Sequence, residues 1–383
     1  MSNRGTDVLI VQYTNPDHYP PTINAIRVMD QAGLKVGVIC RRDWPETGVR
    51  YPASIWMKRV GGKPVGGWRA PLSFASFLAQ VFFAAIRARP RFIYCYDLHG
   101  IVAGGLVGEI LQIPYIYHVH DIFLPEEGMG NFDRRLKPIE RRLAATSLHL
   151  VFPSASKARL FLDINGITKP YCVVANAPMI SSEVRCGFPE PSFTGRRIVL
   201  YQGSIGPDKG IEELVASLPD WPEECDLVLL GIVRPPGYVE KLQGLARAKQ
   251  VEQRLSYLGI NNYDRLFSTT RLADIGVFLP TVESVVHRTS GTAVNKVMEY
   301  MACGVPVLAA SLPALSELME ETGAGVTINP TNPANIANAV RMMLEDRDRW
   351  CCWSENGRKA HLEKYNYETQ FKPVLAMIAT GKP

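Results

Sequence analysis

The sequence holds eight cysteines, at 40, 95, 172, 186, 225, 303, 351 and 352, but no C-x-x-C pair. Several lie inside apolar runs such as Phe92–Tyr96, so they read as buried free thiols of a reducing compartment. The seven histidines lack H-x-x-x-H or Cys/His spacing, so no zinc site is expected. Long hydrophobic runs are also missing. The longest, Leu72–Ile86, covers about 15 residues, short of the roughly 20 that a spanning helix needs. The opening Met1–Gly5 carries one arginine and leads straight into Val8–Val11, which reads as a first strand rather than a signal-peptide core. A cytoplasmic setting follows as the expectation. An excess of one sign is missing as well: the formal net charge is +5 over 383 residues, too little for a basic field, and no nucleic-acid partner is implied.

What is present is a globular balance, 46% hydrophobic and 21% charged, in a chain long enough for two domains. Short β-rich apolar runs alternate with helical segments throughout, the pattern of α/β parallel sheets built from βαβ units. Six strands are expected in the first half, at 7–11, 35–40, 92–96, 115–118, 149–152 and 172–174. Six more are expected in the second, at 197–201, 226–230, 255–258, 275–279, 305–309 and 325–328. A first domain over 1–180 and a second over 197–357 are joined by a linker at 181–196, rich in Pro, Gly and Ser. A final segment, 358–383, could return to the first domain. Two Rossmann-like, doubly wound parallel-sheet domains facing a cleft would bind ligands at the carboxyl ends of their strands.

The densest chemical signal runs from Thr289 to Val307, a loop, a helix, a glycine stop and a strand. Thr292 is expected to cap the helix start, and Gly304 with Pro306 to end it. The helix amino end would then offer N–H groups and partial positive charge to a diphosphate. Asn295, Lys296 and Glu299 lie three or four residues apart, so their side chains can share one helical face. Glu299 could accept hydrogen bonds from two ribose hydroxyls, or simply pair with Lys296 on a solvated surface. A second segment, Ile198–Gly210, is a strand running into a glycine-rich turn, with Lys209 placed as a point charge for phosphate.

The string N-K-V-M-E-Y-M-A-C-G-V-P-V at 295–307 resembles the carboxyl-half signature of retaining glycosyltransferase family 4, whose fold is GT-B. That resemblance implies a nucleotide-diphosphate sugar as donor substrate, with no cofactor and no metal. It places Glu299 on the donor ribose, and Ser290, Gly291 and Thr292 beside the diphosphate. It also brings Gly203, Ser204 and Lys209 to the same donor, with Asn295 and Lys296. Two positions depart from the pattern: Gly291 stands where the family has a glutamate that contacts the sugar, and Ser204 stands where many members have arginine. Glu283, in the preceding loop, is a candidate replacement for that glutamate.

In the first half, Tyr115–Glu126 resembles the family's H-D-x-x-P-E segment, which places His120 at the transferred sugar and Asp121 on the acceptor side. His120, Lys209 and Glu299 are thus the candidate catalytic residues. The loop 14–22 has no glycine where the family has a phosphate and acceptor loop, and Pro21 and Thr22 are its acceptor-side candidates. Asn176 alone survives of the family's P-N-G turn. Three other signals are set aside: Gly104-Gly105-x-x-Gly108 reads as helix packing, Asp346-Arg347-Asp348 as surface, and Leu72–Ile86 as a core helix with a solvated basic end. A peripheral membrane contact through that helix, suited to a lipid-linked acceptor, is the alternative. The expected function is retaining transfer of a hexose to a glycan, lipid-linked or natural-product acceptor. The alternatives are a nucleotide-sugar-binding protein with reduced activity, and a GT-B epimerase or hydrolase.

Overall fold

The structure is a computed structural model that describes residues 5–42, 49–62, 67–124, 129–180, 195–260, 263–282 and 284–381. The expected linker falls almost wholly on 181–194, and Glu283, Pro125 and Glu126 also lie outside the described residues. The chain divides into two compact units, 1–175 with 370–383 and 176–369. The boundary between the units falls at 175/176, and the final segment is divided at 369/370.

The first unit holds one seven-stranded parallel sheet: β1 Val8–Gln12, β2 Val36–Arg41, β3 Trp56–Val60, β4 Phe92–Tyr96, β5 Tyr115–His118, β6 His149–Phe152 and β7 Tyr171–Val173. The order is β3-β2-β1-β4-β5-β6-β7. Its helices are α1 Pro20–Gln31, α2 Ala70–Ala88, α3 Asp97–Leu111, α4 Asn131–Thr146 and α5 Ala155–Asn165. The central strands are apolar on both faces and fully buried, as a sheet covered by helices on both sides requires. β3 is the strand that the sequence reading omits. It is a half-exposed edge carrying Lys58 and Arg59, so it has no continuous apolar run. Its place is fixed by Gly37 of β2: a Cβ there would lie 2.2 Å from the Trp56 ring.

The second unit repeats the plan with β8 Arg197–Gln202, β9 Cys225–Leu230, β10 Leu255–Tyr257, β11 Ile275–Phe278, β12 Val307–Ala310 and β13 Gly325–Ile328, in the order β10-β9-β8-β11-β12-β13. Its helices are α6 Ile211–Ser217, α7 Tyr238–Ala248, α8 Tyr263–Thr270, α9 Val285–Arg288, α10 Asn295–Cys303, α11 Pro313–Thr322, α12 Pro333–Glu345 and α13 Arg347–Glu363. A last helix, α14 Tyr367–Thr380, begins in this unit and has Gln370 onward in the first. In each sheet the chain reverses its direction of growth once, between β1 and β4 and between β8 and β11. Ligands of open α/β sheets bind outside the carboxyl ends of strands at such points.

Close packing explains the set-aside motifs. A Cβ on Gly104 would meet Cys95 Sγ at 2.5 Å, and one on Gly108 would meet the Tyr115 ring at 2.8 Å, so these glycines seat α3 against the sheet. Asp346 caps α13 by accepting from Arg349 N at 3.0 Å. Cys352 is exposed and Cys172 and Cys351 half-buried, so the buried-thiol reading holds only for Cys40, Cys95, Cys225 and Cys303 among the described residues. α2 is not a plain core helix, because one of its faces is apolar and open to solvent: Leu72 and Phe83 are each 65% exposed.

Candidate functional site

In the second unit, strand β8 ends at Gln202 and the chain turns through Gly203 at φ +119, a conformation that favours glycine. α10 lies beneath this turn because Gly276 of β11 leaves room for Tyr300, whose ring would otherwise sit 2.3 Å from a Cβ. The Tyr300 hydroxyl donates to Leu200 O at 3.1 Å and accepts from Gln202 N at 3.1 Å. That docking brings Glu299 under the strand end, 5% exposed, where its Oε2 accepts from Gln202 Nε2 at 2.5 Å. Gln202 is held in turn by Thr270, whose hydroxyl donates to its Oε1 at 2.9 Å. Burial pushes the Glu299 carboxyl up to about 7, against the opposing pull of the Gln202 hydrogen bond and the Lys296 charge.

Lys296 does not pair with Glu299 on a solvated face. Its ammonium donates to the Tyr201 hydroxyl at 3.1 Å and lies over the rings of Tyr201 and Phe278, 4.3 and 5.2 Å from their centroids. Burial lowers it to about 8. A Cβ on Gly203 would approach its Nζ at 3.0 Å, so the glycine turn and the cation share one place. Lys209 lies half-buried on the same β8–α6 turn, which packs tightly: a Cβ on Gly210 would meet Leu279 O at 1.9 Å.

The entry to α10 differs from expectation. Thr292 does not cap it: Gly291–Ala293 form a short 3-10 turn, and the residue before the helix is Val294, whose side chain has no acceptor to offer. Among the described residues, the first turn of α10 therefore has no side-chain cap from the residue before it. Thr292 contributes its carbonyl instead, accepting from Asn176 N at 3.0 Å, while Asn176 Nδ2 donates to Ala293 O at 2.9 Å. The surviving asparagine thus fixes this turn. Gly291 sits at φ +40 against Ala314, so a glutamate at this position would be strained. Ser290 is buried, Asn295 is half-buried at the first position of α10, and Ser204 is exposed beyond β8.

In the first unit, His120 follows β5 and is 5% exposed; among the described residues neither ring nitrogen has a hydrogen-bond partner, and Nδ1 lies 3.9 Å from Asp97 Oδ2. It stacks on Tyr96 at 4.7 Å and lies 4.4 Å from the His118 ring, which bonds the Tyr94 hydroxyl at 3.0 Å. Burial holds the His120 imidazole down, to about 4, so it is neutral near pH 7. The turn is fastened by Asp97, a non-glycine residue at φ +55, which accepts from His120 N at 2.8 Å and Asp121 N at 3.2 Å. It is fastened again by buried Lys157, which donates to His120 O at 2.7 Å and pairs with Asp121 at 3.3 Å. Asp121 is otherwise well exposed. Pro21 and Thr22 are not in a loop. They are buried in the first turn of α1, and Thr22 Oγ1 has no hydrogen-bond partner among the described residues.

Two family descriptions match this chain: Glycosyl transferase 4-like domain over 24–177, and Glycosyl transferases group 1 over 188–360. The chain belongs to the glycosyltransferases. An uncharacterized glycosyltransferase of Methanocaldococcus jannaschii is 29% identical, over 80% of this chain and 82% of its own. A D-inositol 3-phosphate glycosyltransferase of Geodermatophilus obscurus is 22% identical, over 92% of this chain and 82% of its own. Among solved structures, Anabaena HepE in complex with UDP covers 98% of this chain and 100% of its own, with a TM-score of 0.73 at 18% identity. HepE has also been solved with UDP-glucose. The fold is GT-B, as the sequence resemblance implied.

In this glycosyltransferase the sequence motifs locate Glu299, Lys296 and His120, but not the residues that hold them. Gln202, Thr270, Asp97 and Lys157 come from elements 23 to 97 positions away in the chain. The one sequence signal that could have found Gln202 is its place as the last residue of β8 before the glycine turn.

Proposed function

We propose that this glycosyltransferase binds a nucleoside diphosphate hexose in its second unit and transfers the hexose with retention of anomeric configuration. The observation that supports this most is the buried carboxylate of Glu299, held by Gln202 at the carboxyl end of β8 within one helical turn of Lys296. A buried ionised carboxylate without a cation pair is costly, and two vicinal ribose hydroxyls donating to it would offset that cost. Lys296, Lys209 and the uncapped first turn of α10 supply fixed positive potential for the diphosphate. HepE, of the same fold, was solved with UDP and UDP-glucose, which makes UDP-glucose the first donor to try.

In the proposed transfer, the bond from the sugar's anomeric carbon to the phosphate oxygen breaks as the acceptor hydroxyl bonds to that carbon on the same face. The hydroxyl proton passes to the departing phosphate oxygen. Fixed cations help because negative charge grows on the diphosphate as the bond breaks. His120, neutral and with no hydrogen bond to either ring nitrogen among the described residues, is assigned to a hydroxyl of the transferred sugar, and Asp121 to the acceptor side. The charge is supplied by side chains and a helix end, so transfer needs no divalent ion in this reading. The test is turnover of a nucleotide-sugar panel against glycan and lipid-linked acceptors, with and without EDTA, reading the product anomer by NMR. An inverted product, loss of turnover in EDTA that metal restores, or release of free sugar as the sole product would each overturn the reading.

A further inference from the structure

A surface helix ordinarily turns a polar face to water and an apolar face to the core. α2 is apolar on both faces. Phe74, Phe77, Val81, Ala84 and Ala85 are buried in the first unit's core. On the far side Leu72 and Phe83 are each 65% exposed and Ile86 is 47% exposed, with Ala75 and Ala79 between them. At about 100° per residue these five outward positions share an arc of roughly 80° that holds no charged side chain. The inward face anchors the helix in the core, so α2 cannot leave the fold to span a bilayer, although its length and mean hydropathy of 1.4 would allow it.

Charge identifies the occupant. The fifty residues 47–96 contain eight Lys and Arg and no Asp or Glu. Exposed Arg69 precedes α2, and exposed Arg87 and Arg89 close it, so arginines fringe both ends of the apolar stripe. A second copy of this chain docked through the stripe would bring arginine against arginine with no carboxylate of the segment to offset it. An anionic lipid surface meets both features, taking Leu72, Phe83 and Ile86 at the acyl boundary and the arginines among the phosphates. We propose that the outward face of α2 docks this protein, lying flat, on membranes rich in acidic phospholipid. This inference is independent of the donor chemistry.

The experiment is co-sedimentation of the full chain with vesicles of phosphatidylcholine alone and of phosphatidylcholine with about one third phosphatidylglycerol. Two variants accompany the wild type: Leu72→Ser with Phe83→Ser and Ile86→Ser, and Arg87→Glu with Arg89→Glu. Circular dichroism and thermal melting show that each is folded, which outward positions should preserve. Wild type should pellet with the acidic vesicles and release in high salt, and each variant should bind at least about tenfold more weakly. Two results would overturn the proposal: wild type staying in solution with both vesicles, or the triple-serine variant binding as wild type does. A dimer by light scattering that the triple-serine change abolishes, without vesicle binding, would overturn it in favour of self-association.

Discussion

At the strand ends of the first unit the reactive groups are imidazoles packed against tyrosines, kept neutral by burial. At those of the second unit they are a buried carboxylate held by a buried carboxamide and, beside it, a half-buried ammonium, the first and last able to carry charge. The two sheets share one winding, so the difference comes from what the turns after the strands carry. Neutral rings give shape and directional hydrogen bonds suited to sugar hydroxyls. Buried ionisable groups give fixed potential suited to a diphosphate. Under the proposed function, one topology, used twice, serves two tasks by the choice of a few side chains beyond the strands.

The sharpest way to break this contrast is Lys209→Ala. Losing a fixed charge that opposes the growing phosphate charge should cut kcat by about a hundredfold, with a smaller loss in nucleoside binding, as steady-state kinetics beside calorimetry would show. Equal losses for nucleoside and diphosphate would remove Lys209 from the phosphate side. His120→Ala probes the other unit: turnover should fall at least about tenfold while donor affinity stays near wild type, since donor binding is assigned to the second unit. A His120 variant that loses donor affinity instead would erase the division of tasks.

Gln202→Leu should have a milder effect. It leaves Glu299 without its hydrogen bond from Gln202 but keeps the carboxylate, so it should weaken donor binding by several-fold, less than the full worth of one charge-assisted bond. The carboxyl should also become harder to ionise. Calorimetry with wild-type and variant protein reads both, and an unchanged affinity would make Gln202 purely structural.

These partners show where the sequence was legible. Twelve of the thirteen strands among the described residues could be read, because buried parallel strands are continuous apolar runs bounded by turns, as in Phe92–Tyr96. Edge strand β3 could not, since its residues are half-exposed and charged. Glu299 and Lys296 were found by their string, yet whether they paired in solvent or lay buried was open until Tyr300 and Gly276 set the depth of α10. The capping role given to Thr292 failed because the chain makes a 3-10 turn first and spends that residue's carbonyl on Asn176. Asp97 and Lys157 look like ordinary surface charges in the sequence. Only the sheet order brings β4 and α5 to the end of β5.

The smallest effect, and a sharper one, is in pH. Burial pushes Glu299 up to about 7 and it accepts from both ribose hydroxyls only when ionised, so donor affinity should rise as pH increases through 7. Lys296 titrates near 8 and must be protonated to meet phosphate, so affinity should fall above 8. A nucleotide sugar carries no terminal phosphate monoester, so this profile belongs to the protein. Glu299→Gln should remove the lower limb and leave the upper one. A flat profile in the wild type would show that neither group meets the donor.

The central claim is that the second unit holds its donor through buried Glu299, and thermal shift with a panel of nucleotide sugars on wild type and Glu299→Ala tests it most directly. The account predicts that at least one nucleotide sugar raises the wild-type melting temperature. In the folded variant, which loses about 1.5 to 3 kcal/mol of binding, the same ligand should give a much smaller shift. A shift of equal size in both proteins, or no shift from any nucleotide sugar, would contradict it.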